Sequence, residues 1–216
     1  QVNCIAKKII RELDEPFVDQ DWEIEVFENP GVNAFAMPGG KLGVYTGLFT
    51  VASNQDELAT VIGHEIAHVT EKHSYERAKR EMRTRVGTTI GMAVIAGNIS
   101  NRRIRSQADI YEMNNQINAV NTMSQILSTY GLNLPFNRKQ ESDADKTGLQ
   151  LMAKAGFNPF ASLSLWKKMQ EDSNRPNLEF VSSHPSSDNR IKGLSSQLSE
   201  SLELYNAVER KPRCTF

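Results

Sequence analysis

The stretch "VIGHEIAHVTEKH", residues 61–73, restricts the fold more than any other part of this chain. It sets His64 and His68 four residues apart, puts Glu65 directly after the first, and surrounds them with Val61, Ile62, Ile66, Ala67 and Val69. On a helix, four residues overshoot one turn by about 40°, so the two rings project side by side. Neutral imidazoles in that relation can bind one Zn²⁺ together. The apolar surround means that the helix is buried, and two histidines with a glutamate inside a core need a partner that offsets their desolvation. A metal ion is that partner. Glu65, one step further round, is placed to act on a water at the metal as general base.

A third ligand must come from elsewhere. The extended motif of the metzincins would put glycine and histidine at positions 71 and 74, where this chain has Glu71 and Ser74. On a continuous helix His73 would face about 140° away from His68, which makes it a poor ligand. His184 and the carboxylates remain. "NRKQESDADKTGLQLMAKAG" (137–156) reads as a helix with Leu149, Leu151, Met152 and Ala155 on its apolar side, and it carries Glu141 and Asp145 at i, i+4. Like charges so spaced repel by about 0.2–0.5 kcal/mol in an isolated helix. Their place on a core-facing stripe makes sense if cations await both. Glu141 would then ligate the metal, and Asp145 would accept a hydrogen bond from the free ring nitrogen of a ligating histidine. Without the histidine motif, an exposed acidic first turn favoured by the helix dipole would be the better reading.

Around this pair the chain reads as strands followed by helices. "CIAKKIIREL" has helical spacing; "DWEIEVFE" alternates Trp22, Ile24 and Val26 against Glu23 and Glu25, a half-buried strand. "VNAFAM" and "KLGVYTG" are two short strands joined through "PGG" (38–40), a hairpin signal. Helices are expected over 55–79, 84–98, 107–130, 138–155, 159–171 and 188–209, with Gly131 and Gly156 at C-terminal caps. The class is α+β: a mostly helical body with one small three-stranded sheet. With 216 residues and 39% hydrophobic content, a single domain over 1–216 is expected.

Charge and cysteines bound the setting. A net charge of −1 gives no pull towards nucleic acid, and the basic runs 76–85 and 101–106 read as solvated helix faces. No stretch reaches the ~18 apolar residues of a membrane span; "VGTTIGMAVIAGNI" (86–99) comes nearest. Cys4 and Cys214 stand at opposite ends of the chain, which favours a staple over two unrelated thiols and implies an oxidising compartment. An export signal is expected to have been removed, since neither a start methionine nor a lipobox is present.

Four blocks, "NAFAMPGGKLGVYTGLF", "ELATVIGHEIAHV", "ESDADKTGLQLMAKAGFNP" and "HPSSDNRI", resemble in sequence and order the zinc metallopeptidases that include HtpX and the CAAX prenyl proteases. The terminal cysteines and the lack of a membrane span make the chain similar to the soluble, exported bacterial branch, typified by LoiP and BepA. The resemblance implies a gluzincin domain with one Zn²⁺ per chain, held by His64, His68 and Glu141, and Glu65 as base. It also implies that His184 and Arg190, from "HPSSDNR", steady the oxyanion or the substrate carbonyl. It points to a periplasmic, outer-membrane-associated protein, with room for a lipid anchor in the full-length form and for an oligomer or an envelope protein partner.

"NAFAM", Asn33, Ala34, Phe35, Ala36 and Met37, is the expected substrate strand: an open sheet edge above the active-site helix, to which an extended peptide adds by main-chain hydrogen bonds. The expected activity is endoproteolysis of extended or misfolded envelope proteins. The alternative is an assembly or chaperone-like factor whose zinc site is covered, with segment 99–122 a candidate cover.

Overall fold

The computed structural model describes residues 1–80, 136–171, 178–185 and 188–214, together with residues 82, 83, 107, 114, 115 and 118. The expected helices over 84–98 and 107–130, the Gly131 cap and the candidate cover 99–122 lie outside the described residues, apart from those isolated positions. Residues 1–75 with 135–216 form one compact unit, and residues 76–134 a second. His64, His68, Glu141 and His184 all lie in the first.

Helix α2 (Gln55–Thr70) is the axis of that unit. Asn54 starts it, its side chain accepting from the amides of Asp56 and Glu57. Glu57 through Val69 are all buried, so the helix has no solvent stripe of its own and belongs to the core. Helix α1 (Val2–Ile10) packs on it through Ile5, Ala6 and Ile9, an i, i+4 stripe with no measurable exposure.

The sheet packs on α2 through β2 and on α1 through β1. Strands β1 (Glu23–Phe27), β2 (Ala34–Met37) and β3 (Lys41–Tyr45) are ordered β1-β3-β2, with β1 parallel and β2 antiparallel to β3. Gly39 and Gly40 take φ of 87° and 76° in the hairpin turn, a backbone that the "PGG" signal anticipates. β1 differs from its expected half-burial: Val26 is 43% exposed and Ile24 alone is half-buried, because the strand sits at the outer edge and covers little. β2 forms the opposite edge, as expected. A 3₁₀ turn (Thr46–Thr50) then leads into α2.

Helix α3 (Arg138–Lys154) opens with a capping box between Asn137 and Gln140. It closes on Gly156, at φ 84°: the Phe157 amide donates to the Met152 carbonyl and the Gly156 amide to that of Ala153, so two end carbonyls are satisfied. α3 crosses α2 where Gly63 meets Gly148, and a Cβ on Gly148 would stand 2.8 Å from the backbone nitrogen of His64. This contact brings Glu141 and Asp145 against the two histidines. Helices α4 (Phe160–Glu171), α5 (Glu179–Ser183) and α6 (Asp188–Ala207) complete the unit. α5 was not anticipated; its Phe180 amide donates to the Val32 carbonyl, and the turn after it carries His184.

The mostly helical α+β class with a three-stranded sheet is thus the observed one. A disulfide joins Cys4 to Cys214, with Cα atoms 5.8 Å apart. Among the described residues no helix is long and apolar enough to cross a membrane.

Candidate metal centre

Four side chains from three places in the chain meet at one buried point. His64 and His68 come from α2, Glu141 from the first turn of α3 and His184 from the turn after α5, and one donor atom from each lies within 4.8 Å of all the others. His64 Nε2 is 3.1 Å from His68 Nε2 and 3.4 Å from Glu141 Oε2; His68 Nε2 is 3.4 Å from Glu141 Oε1. His184 Nδ1 stands 3.1 Å from Glu141 Oε1 and 3.2 Å from His64 Nε2. None of the four is more than 2% exposed.

The electrostatics follow from that burial. Burial pushes the Glu65 carboxyl up and the His68 ring well below its usual range. Burial opposes charge on His64 too, yet the Asp145 and Glu141 carboxylates outweigh it and raise His64 to about 9. The three imidazoles likewise hold Glu141 far below the usual carboxylate range against its own desolvation. His64 Nδ1, Glu65 Oε1 and Glu141 Oε2 are buried with charged neighbours but no aligned hydrogen bond. A cluster of lone-pair donors facing one point, with unsatisfied polar atoms around it, suits a divalent metal with a preference for nitrogen and oxygen ligands.

The surroundings place the remaining expected residues. Asp145 Oδ1 is 3.1 Å from His64 Nδ1, the side of the ring that faces away from the cluster. Glu65 Oε1 is 3.2 Å from His184 Nε2, and the Ala36 amide of β2 donates to the Glu65 carboxylate. Arg190 reaches two carboxylates of α3. Its Nε and Nη2 donate to both oxygens of Asp145, at 2.7 and 2.6 Å, and its Nη1 is 2.7 Å from Glu141 Oε2. The guanidinium lies 3.9 Å over the Trp166 ring. The structure thus brings Arg190 to Asp145 and to Glu141, itself one of the four cluster residues.

Sequence reasoning missed the aromatic walls. Phe136 stacks on His68 at 3.9 Å, Phe180 stacks on His184 at 4.5 Å, and Trp166 meets His64 edge-on at 5.9 Å. No local signal separates such residues from ordinary core. His73 was set aside as facing away, but its ring lies next to that of His68, 5.2 Å between centroids. The cause is the early end of α2: Lys72 adopts φ 60° and a helix restarts at His73. Burial pushes the His73 ring down, towards the neutral form.

Comparison with known proteins agrees with this geometry. The pattern of Peptidase family M48 matches residues 1–198. The chain is 35% identical to the mitochondrial metalloendopeptidase OMA1 of Schizosaccharomyces pombe over 92% of its length and 52% of that protein. It is 31% identical to the mitochondrial metalloendopeptidase OMA1 of Homo sapiens, over 92% of the chain and 37% of the relative. It is 25% identical to the β-barrel assembly-enhancing protease of Escherichia coli (strain K12), over 88% of the chain and 37% of the relative. The chain thus spans about half or less of these relatives' lengths. The bacterial likeness is present, but the mitochondrial proteins match at higher identity. That finding overturns the expected periplasmic, outer-membrane-associated location. The cysteine pair that suggested it speaks for an oxidising compartment, and such chemistry is not peculiar to a periplasm.

Proposed function

Since this chain belongs to peptidase family M48, we propose that it is a zinc-dependent endopeptidase acting on extended or misfolded polypeptides, working as one peptidase domain. The observation that carries the reading is the buried meeting of His64, His68 and Glu141 beside Glu65, which itself touches the edge strand. The names of the relatives suggest a mitochondrial setting for it.

His64 and His68, through Nε2, and Glu141 would hold the metal. When bound, it supplies a Lewis acid that acidifies a water and polarises the scissile carbonyl. Glu65 takes the proton of the attacking water; burial raises its proton affinity, which suits a base that must later return that proton to the leaving amine. Asp145 faces His64 Nδ1 and sets its tautomer, while Arg190 clamps Asp145 and Glu141, so it acts through the carboxylates.

Strand β2 presents the substrate. The Tyr45 amide donates to the Asn33 carbonyl, and hydrogen-bonded pairs alternate along an antiparallel ladder. Ala34 and Ala36 therefore turn their backbone groups away from β3; those of Ala36 already meet Glu65 and Ser74, so a peptide adding along this edge would take the place of those two contacts. A peptide adding there is read by its backbone, which favours unfolded clients with loose sequence preference.

Zinc content and cleavage of denatured casein test the reading. Glu65→Gln should keep one zinc per chain and cleave at least ~100-fold more slowly; an unchanged rate would refute Glu65 as base. One observation favours a second reading, a closed centre that rarely cleaves: His184 supplies a fourth donor, and closed sites have four protein ligands. His184→Ala separates the two, lowering cleavage if His184 serves the substrate and raising it if His184 blocks the site.

A further inference from the structure

Helix α2 stops at Thr70, Glu71 caps it, and Lys72 turns the chain with a left-handed φ of 60°. A lysine there is strained, a conformation that persists only where the surroundings enforce it. The turn swings His73 back over the preceding helix. His73 Nδ1 comes to 3.1 Å from His68 Nδ1, and His73 is 8% exposed. The next residue, Ser74, donates its hydroxyl to the Ala36 carbonyl of β2 at 2.9 Å, which anchors the turn to the edge strand.

Tautomer logic makes the pair directional. His68 Nε2 points at the cluster, so a ligating His68 carries its lone pair on Nε2 and its single proton on Nδ1. Two Nδ1 atoms in hydrogen-bond contact share one proton. His68 therefore donates, and His73 accepts with the lone pair of its own Nδ1, keeping its proton on Nε2. Each histidine of the motif then has an acceptor on its far side: Asp145 for His64 and His73 for His68.

We infer that His73 is a positioning residue of the metal centre, an imidazole acceptor that fixes the tautomer and ring angle of His68 and is delivered by the left-handed turn at Lys72. The inference rests on the reading of His68 as a ligand through Nε2. Outer acceptors of this kind change metal affinity by about 10–100-fold.

Zinc affinity, measured by competition with a chromophoric chelator, tests it in His73→Leu, His73→Asn and His68→Ala. Asparagine keeps an acceptor oxygen where Nδ1 stood, and leucine keeps bulk without one. The expected result is zinc binding about 10–100-fold weaker in His73→Leu and recovered to within a few-fold in His73→Asn, with all metal-free proteins melting at similar temperatures. Wild-type affinity in His73→Leu would overturn the inference, as would equal losses in both His73 variants or a matching loss of metal-free stability. If His68→Ala itself kept wild-type affinity, the ligand reading would fall and this inference with it.

Discussion

His64, Glu65, His68, Glu141 and His184 are each at most 2% exposed, and a folded chain tolerates that only where buried charges find partners. The same rule works away from the centre. Glu57, 2% exposed in the first turn of α2, accepts from Lys168 Nζ at 2.7 and 2.8 Å, from the Ser53 amide and from Ser164. Burial alone would raise its pKa, but these donors outweigh it and hold it below 4.5. A depressed carboxylate stabilises the fold above its unfolded-state pKa, and that contribution is lost as the pH falls through the folded-state value. Glu57→Gln should therefore cost about 1–2 kcal/mol at pH 7, a figure kept low because Lys168 is 40% exposed and screened by solvent. Urea unfolding across pH should show the gap between wild type and variant shrinking below pH 4.5. A gap independent of pH would contradict the ion pair.

Between elements, the spacing of α2 and α3 sets the centre. A Cβ on Gly148 would meet His64 N at 2.8 Å and Gly63 C at 2.9 Å, both backbone atoms that cannot step aside. Gly148→Ala should push α3 away, carry Glu141 and Asp145 from the histidines, and cost about 1–3 kcal/mol. Denaturation with a parallel zinc titration checks this: both stability and zinc affinity should fall, and unaltered zinc affinity would mean that the helix contact does not set the ligand spacing. α2 and α3 were legible in the sequence because their signals are local: the stop at Gly156, and the four-residue spacing of His64/His68 and Glu141/Asp145. The break at Lys72 was not, since lysine carries no mark of a left-handed backbone and no glycine or proline stands near it. Nor was α5, a helix of 5 residues tied down by the distant Val32 carbonyl. His184 and Arg190 stood out by family resemblance alone. The pairing of Arg190 with Asp145 and Glu141 needed three-dimensional contact to see.

At the scale of the whole molecule, the Cys4–Cys214 bond closes a loop with a sequence separation of 210. It seals α1 to the C-terminal segment, where the Cys214 amide donates to Gln55 Oε1 and Gln55 Nε2 donates to the Pro212 carbonyl, at the start of α2. In the chain-entropy picture so long a loop contributes about 5.4 kcal/mol, an upper figure for a real bond. Reduction, or Cys4→Ala with Cys214→Ala, should lower the melting temperature by several degrees while leaving zinc content intact, because the centre is built from α2, α3 and the α5–α6 turn. An unchanged melting temperature would mean that the bond constrains nothing. The proposed function requires a metal held between α2 and α3 next to the Glu65 carboxylate. Anomalous diffraction at the zinc edge, on crystals of zinc-loaded Glu65→Gln, tests it most directly. The expected result is a single peak at about 2.0–2.2 Å from His64 Nε2, His68 Nε2 and a Glu141 oxygen. A peak elsewhere, or a Glu141 carboxylate turned away from it, would contradict the assignment.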